Sequence, residues 1–185
     1  MKLKDKIALV SAAGRGIGKA IVEGLAAEGA TVIVNSYSNE TASRTASDIK
    51  KKGGKAISMP GDATDPKEIL ALVERTTEKF GRIDILINNV GAAPKEAPEI
   101  PNHAMGKTEG LWNAMYKQNL LPTVLMTEAV SKEMKRQNGG KIVNISSIAG
   151  IDSFSPKTLT NLVHPSYGAM KAALLSYTKN CAELL

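Results

Sequence analysis

Short apolar or β-branched runs alternate along the chain with longer stretches in which apolar residues recur every three or four positions. Lys6 to Ser11 (KIALVS) is apolar and ends in small residues, as a buried strand does. Beyond a glycine turn comes KAIVEGLAAEGA. There Ile17, Ile21 and Leu25 repeat every four residues and predict a helix with those three on its buried face. Thr31 to Asn35 is β-branched and predicts a second strand. A polar helix is predicted over Glu40 to Lys52, stopped by Gly53 and Gly54. KAISMPGD gives a third strand with a Pro-Gly break. Asp65 and Pro66 fit a helix cap and first position, and Ile69, Leu72, Val73 and Phe80 form that helix's apolar face. Ile83 to Asn89 predicts a fourth strand, followed by a Pro-rich loop from Gly91 to about Gly110. The pattern then predicts one helix from Leu111 to Gln137, disturbed at Pro122, and a fifth strand from Lys141 to Ser147. Ile148 to Pro165 fits a loop, and a last helix starts near Ser166.

Strands alternating with helices imply parallel βαβ units. The predicted fold is therefore α/β, a doubly wound, Rossmann-like parallel sheet with helices on both faces and strand order 3-2-1-4-5. Ligands of such sheets bind beyond the carboxyl ends of the strands, where the strand order reverses.

Composition narrows the function classes. A chain of 185 residues predicts one domain with a real hydrophobic core. Cys181 is the only cysteine, so neither an intrachain disulfide nor a cysteine zinc site is possible within it. No signal-like apolar stretch follows Lys2, Lys4 and Lys6, and no run approaches bilayer length, so a soluble cytoplasmic protein without membrane partners is expected. The net charge of +6 comes from lysines spread along the chain, without the interleaved aromatics that stack on bases. It suits anionic small molecules rather than nucleic acid. His103 and His164, flanked by Pro or Asn, read as solvated loop residues, and no metal site is expected. Asp84 reads as a strand-start residue, and Met115, Met126, Met134, Trp112 and Cys181 as packing residues.

Chemistry concentrates at the predicted strand ends. Ser11 to Gly18 (SAAGRGIG) joins the first strand to the first helix, where free backbone N–H groups and the helix dipole favour an anion. Gly16 lets a pyrophosphate come close, and Gly18 lets the helix pack tightly on the strand. Strict G-x-G-x-x-G spacing is absent, because Lys19 stands where its last glycine belongs when counted from Gly14. At the end of the second strand an NAD site places an acid for the ribose hydroxyls, whereas Asn35 to Asn39 (NSYSN) has none. A 2′-phosphate would be attracted by Arg15, Asn35, Ser36 and Ser38, which predicts NADP. Tyr167 and Lys171, four apart at the head of the last helix, share one face. Phenol holds its proton to about pH 10, and a nearby ammonium favours the phenolate.

Taken in order, SAAGRGIG, GDATD, NNVG, Asn119, NISS and YGAMK resemble the short-chain dehydrogenase/reductase family from Lys4 to Leu185. VIVNSYSNE is most similar to the 3-oxoacyl-acyl-carrier-protein reductases within it. The resemblance implies that Tyr167 is the general acid, Lys171 its modulator and a ribose ligand, Ser147 the donor to the substrate oxygen, and Asn119 the holder of a relay water. It further implies that Ser11, Gly14, Arg15, Gly16, Ile17 and Gly18 form the pyrophosphate turn, that Asp62 and Ala63 hold the adenine, and that Asn89 and Gly91 hold the cofactor beside the fourth strand. The implied activity is NADPH-linked interconversion of a carbonyl, such as a 3-oxoacyl thioester or related ketone, and a secondary alcohol. A homo-oligomer, dimer or tetramer, follows from the same resemblance.

Three residues depart from the family pattern: Ser11 replaces a threonine, Ala12 the first glycine, and Val90 the alanine of N-N-A-G. Ala92 to Gln118 and Ile148 to Ser166 are longer than is common in the family. Family members continue beyond the equivalent of Leu185 with further strands and a substrate-covering segment. A single, C-terminally incomplete domain over residues 1–185, the fragment of a longer reductase, is therefore expected. A non-catalytic nucleotide-binding or scaffold fragment is the rival reading.

Overall fold

Five strands of four residues each build the sheet: β1 (Ile7–Val10), β2 (Thr31–Val34), β3 (Lys55–Ser58), β4 (Ile85–Asn88) and β5 (Lys141–Asn144). All pair in parallel in the order β3-β2-β1-β4-β5, as the sequence predicts. The computed structural model describes residues 1–92, 109–155 and 164–185. The predicted loop beyond Gly91 therefore lies, for residues 93–108, outside the described residues, and so does His103.

Among the described residues there are six α-helices: α1 (Gly16–Ala27), α2 (Asn39–Lys51), α3 (Pro66–Phe80), α4 (Glu109–Asn119), α5 (Leu121–Arg136) and α6 (Pro165–Leu184). Two apolar clusters lie on the two faces of the sheet, because successive strand residues point to opposite sides. Leu9, Ile33 and Leu86 pack with Ile69 and Leu72 of α3 and with Met126 and Val130 of α5. Ala8, Val10, Val32 and Val34 pack with Val22 and Ala26 of α1 and with Ala42, Ala46 and Ile49 of α2. Met115, Met126 and Met134 are buried, as expected of packing residues, whereas Trp112 is 41% exposed.

The caps follow their sequence signals. Asp65 accepts from the amides of Lys67 (2.7 Å) and Glu68 (3.3 Å) with Pro66 behind it, and Gly81 ends α3 at φ 71°. Two helical expectations are corrected. The single helix over 111–137 is two helices broken at Leu120. Pro122 has no N–H for the carbonyl four residues back, and its ring clashes there. On α1 the buried stripe is Gly18, Val22 and Ala26, while Ile17 is 65% exposed. Small residues face the sheet because the helix lies close to it, which turns Ile17 outward at the helix head.

Asp84 clips the opposite end of the sheet, as its reading as a strand-start residue requires. Its carboxylate accepts from the Ile7 amide (2.9 Å) and from Arg82 Nε (3.0 Å), while Lys6 Nζ stands 3.5 Å away. Burial pushes this carboxyl up, but Arg82, the Ile7 amide and Lys6 outweigh it and hold the group below its ordinary value. A folded-state pKa below the unfolded one gives stability that is present above the unfolded value, near pH 4, and lost as pH falls. Asp84→Asn is expected to cost about 1.5–3 kcal/mol at neutral pH, the worth of hydrogen bonds to a charged group. The gap between wild type and variant in urea unfolding should close on acidification. A gap independent of pH would show that the charge contributes nothing.

Candidate functional site

The turn between β1 and α1 is tied down from three sides. Ser11 Oγ accepts from the Asn89 amide (3.0 Å) and donates to the Ile87 carbonyl (3.4 Å), which locks the turn to β4. Asn89 Nδ2 donates to the Ala12 carbonyl at 3.2 Å. The Ala13 amide donates to the Asn35 carbonyl at the end of β2 (2.7 Å), and Thr45 of α2 donates to the Gly14 carbonyl at 3.1 Å. Ala12 itself sits at φ 50°, in the left-handed region that favours glycine, which explains why a glycine suits this position better.

Glycines do two different jobs here. A Cβ on Gly18 would strike the Ala12 carbonyl oxygen and come within 2.6 Å of Asn89 Nδ2, so this position fixes how closely α1 approaches the turn. A Cβ on Gly14 would fall 2.5 Å from Ser36 Oγ. Gly16, at φ 53°, has nothing within 4 Å of its hypothetical Cβ. Open space over the first-turn amides, which lack intrahelical acceptors, is what an anionic ligand needs. Arg15 and Ile17 flank that space and are exposed.

Beside the turn a cleft of about 400 Å³ is lined by Ala12, Asn35, Tyr37, Asp62, Ala63 and Val90, with Gln118 of α4 across it. Asp62 Oδ1 accepts from the amide (2.8 Å) and hydroxyl (2.7 Å) of Thr64, so the carboxylate is held in place at the end of β3. The residues of NSYSN face different ways. Asn35 is buried, and its Nδ2 donates to the carbonyls of Met59 (3.2 Å) and Gly61 (3.1 Å), which ties β2 to β3 and leaves Oδ1 with no partner among the described residues. Ser36 Oγ pairs with Thr41 Oγ1 at 2.8 Å, and Ser38 caps α2 by accepting from the Thr41 amide.

Asn119, Gly91 and Lys171, distant in sequence, converge beyond the ends of β4 and β5. A Cβ on Gly91 would lie 2.6 Å from Lys171 Nζ and 3.2 Å from Asn119 Oδ1. Asn119, at the last position of α4, donates through Nδ2 to the carbonyls of Ala92 (2.9 Å) and Met115 (3.1 Å). Its Oδ1 is buried and has no hydrogen-bond partner among the described residues. Lys171 is buried, donates to the Ile145 carbonyl at 3.1 Å, and places Nζ 5.9 Å from the centre of the Tyr167 ring. Burial alone pushes this ammonium below its ordinary pKa.

Ser147 caps a short 3-10 turn (Ile148–Gly150), its Oγ accepting from the Ala149 amide at 3.2 Å. That engagement uses a lone pair and leaves the hydroxyl hydrogen free to be donated. The turn lies hard against α6: a Cβ on Gly150 would come within 2.6 Å of the Lys171 backbone, and one on Gly168 within 2.6 Å of the Ala149 carbonyl oxygen. Ser146 Oγ donates to the Lys171 carbonyl (2.7 Å), and Asn144 Nδ2 to Thr178 Oγ1 (2.9 Å). Asn88 extends the same network to Asn144 (2.9 Å) and Thr127 (3.0 Å). These stitches hold the end of β5 to α6, and so Ser147 near Tyr167. Ser146, Asn88, Asn144 and Thr178 were not singled out from the sequence. Asn88 and Asn144 signalled only by polarity at strand positions, and Ser146, beyond β5, and Thr178, on α6, carried no comparable signal.

His164 corrects an expectation outright. It is buried, 3% exposed, and its ring caps α6, which begins at Pro165, next to the predicted start near Ser166. A capping role hides it from solvent, although its neighbours in sequence are those of a loop. Among the described residues no cluster of His, Cys, Asp or Glu can hold a metal ion, and no helix is long and apolar enough to cross a membrane. A larger cavity, about 550 Å³, runs along β5 between α5 and α6 and contains none of the predicted site residues.

The family model for short chain dehydrogenases matches residues 6–185. The chain is 36% identical over 184 residues to a 3-oxoacyl-acyl-carrier-protein reductase of Synechocystis sp., covering 99% of this chain and 69% of that protein. It is 34% identical to the 3-oxoacyl-acyl-carrier-protein reductase of Escherichia coli, covering 99% and 68%. Among solved structures, a metagenomic short-chain oxidoreductase in complex with NADP superposes with a TM-score of 0.85 at 29% identity, over 100% of this chain and 78% of the other. A 7α-hydroxysteroid dehydrogenase, complexed with NADH and 7-oxo glycochenodeoxycholic acid, gives 0.79 at 30% identity, over 93% and 62%. The chain thus spans roughly two thirds of the length of most of these relatives.

Proposed function

This chain belongs to the short chain dehydrogenase family, and we propose that it is an NADP-dependent oxidoreductase acting between a carbonyl and a secondary alcohol. The proposed substrate is a 3-oxoacyl thioester or related ketone. The observation that carries the reading is the convergence of a buried ammonium, an unpartnered carboxamide oxygen and a glycine, beside the ring of Tyr167. NADP, when bound, supplies or accepts the hydride. The open space over Gly16 and the cleft lined by Asp62, Ala63 and Val90 suit its pyrophosphate and adenine.

The side chains then divide the proton chemistry among them. Tyr167 holds a proton at its phenol oxygen and gives it to the carbonyl oxygen of the substrate. Ser147 donates its free hydroxyl hydrogen to the same oxygen and stabilises the charge that develops there. Lys171 keeps a cation beside the phenol, and its lowered pKa makes its own proton easier to pass on. Asn119 Oδ1, which has no hydrogen-bond partner among the described residues, is suited to hold a water that returns protons to Lys171. A spectrophotometric assay of NADPH consumption against a panel of 3-oxoacyl thioesters and ketones tests this reading. No turnover with any of them would leave the non-catalytic scaffold as the better account.

Preference for NADP is supported by the absence of any carboxylate between Asn35 and Asn39 and by exposed Arg15 at the head of α1. Ser36 and Ser38, though engaged with α2, keep hydroxyl capacity for a further hydrogen bond. Asn35 contributes by holding the loop, since its amide nitrogen faces inward. NADP(H) should bind more tightly than NAD(H) in calorimetry. Arg15→Ala should narrow the gap by about 1.5–3 kcal/mol, roughly 10- to 100-fold. Equal affinities in the wild type would remove the basis for the NADP assignment. A single dinucleotide-binding domain over residues 1–185, acting as a cytoplasmic homo-oligomer, belongs to the same proposal and rests on family likeness.

A further inference from the structure

We infer that His164 is a positioning residue: as a neutral ring protonated on Nε2, it caps α6 and thereby sets where Tyr167 presents its hydroxyl. The inference rests on the proposed catalytic role of Tyr167. Its first support is the geometry of the cap. The Ser166 amide lies 3.2 Å from His164 Nδ1, and an amide can only donate, so Nδ1 carries a lone pair. Ser166 Oγ lies 2.6 Å from the same nitrogen, and Ser166 is itself fully buried. In a neutral ring the proton must then sit on Nε2, which is buried and has no partner among the described residues.

The second support is what the cap is attached to. Tyr167 is the third residue of α6, and its amide donates to the His164 carbonyl at 2.9 Å, so the first turn closes on His164 from both side chain and backbone. Pro165 fixes φ at the first helical position, which removes the freedom the turn would otherwise use to adjust. On its far side the ring meets Trp112 of α4 edge to face, with centroids 6.3 Å apart and planes at 81°. Since α4 also ends in Asn119, one imidazole joins the two helices that carry Asn119, Tyr167 and Lys171. Among the described residues Nε2 has no hydrogen-bond partner, and the contacts of the ring are those through Nδ1 and with Trp112.

A small displacement of a proton donor is enough to cost turnover severely. His164→Ala should lower kcat by about tenfold or more, with NADPH affinity and KM changed by less than about threefold, because Lys171 lies a full turn further along α6. His164→Asn, which restores a side-chain acceptor at the cap, should recover kcat to within about threefold of wild type. An alanine variant with wild-type kcat, or a folded asparagine variant as slow as alanine, would overturn the inference. A third measurement needs no variant and no activity. The ¹⁵N spectrum of the imidazole in the wild-type chain should show Nδ1 unprotonated and Nε2 protonated, with slow amide exchange at Ser166 and Tyr167. Protonation on Nδ1, or rapid exchange at both amides, would overturn the cap even if the alanine variant failed to fold. Should the wild type reduce no carbonyl, the oxidoreductase reading fails on its own, and the tautomer and amide exchange decide the cap separately.

Discussion

Replacing Tyr167 by phenylalanine is expected to cut turnover by about 10²- to 10⁴-fold, the usual worth of a positioned general acid. The ring and its packing beside Lys171 remain, and only the hydroxyl is lost. NADPH affinity should therefore stay within about twofold of wild type, and the melting temperature should barely move. Lys171→Ala should behave differently. Nζ donates to the Ile145 carbonyl and sits against Gly91, so its removal strips a partly buried carbonyl of its donor and opens space next to the expected ribose. Both cofactor affinity and turnover should fall. The contrast between the two variants is the informative result, because only a proton donor predicts lost chemistry with intact binding. Near-normal turnover of Tyr167→Phe would dismiss the assigned chemistry even if every other expectation held.

Most of the fold was legible because parallel strands buried on both faces need continuous apolar runs, and KIALVS, TVIVN and ILIN have them. Asp65, Pro66 and Gly81 marked the ends of α3 because each has a conformational or hydrogen-bonding reason to be there. Failures came where packing outweighed periodicity. Ile17 continues an apolar repeat, yet the sheet lies so close to α1 that Gly18 and Ala26 face it instead. His164 had the neighbours of a loop residue, and nothing local revealed that its ring would cap a helix. In NSYSN the sequence lists four polar side chains but not their directions, and Asn35 turned inward to bind two carbonyls. Tyr167 and Lys171 share a helix face because they are one turn apart, but that spacing is common by chance, and Ser147 and Asn119 were candidates only through the family resemblance. What joins Tyr167 and Lys171 to Gly91 and Asn119 is tertiary, and no spacing along the chain encodes it.

Gly91 offers the sharpest test of that tertiary convergence. Gly91→Ala would place a methyl 2.6 Å from Lys171 Nζ, a contact that cannot stand, and 3.2 Å from Asn119 Oδ1, a tight one that a shift of a few tenths of an ångström relieves. The ammonium is the far end of a flexible side chain, so it moves, and its hydrogen bond to the Ile145 carbonyl is the contact it gives up. Losing that bond should cost about 1–3 kcal/mol of stability, added to the strain of an alanine at φ 158°, and the melting temperature should fall by several degrees. Gly18→Ala should be far worse for folding, because its methyl meets the Ala12 backbone, which has nowhere to go. Turnover of Gly91→Ala should nevertheless fall by about 100-fold, since a displaced ammonium no longer lies beside the Tyr167 ring or the Asn119 oxygen. The decisive measurement is the double variant. If the methyl acts by evicting Lys171, then Gly91→Ala added to Lys171→Ala should slow turnover little further, and the two effects should be strongly non-additive. Additive losses would mean that Gly91 matters for some reason other than the space it leaves to the lysine.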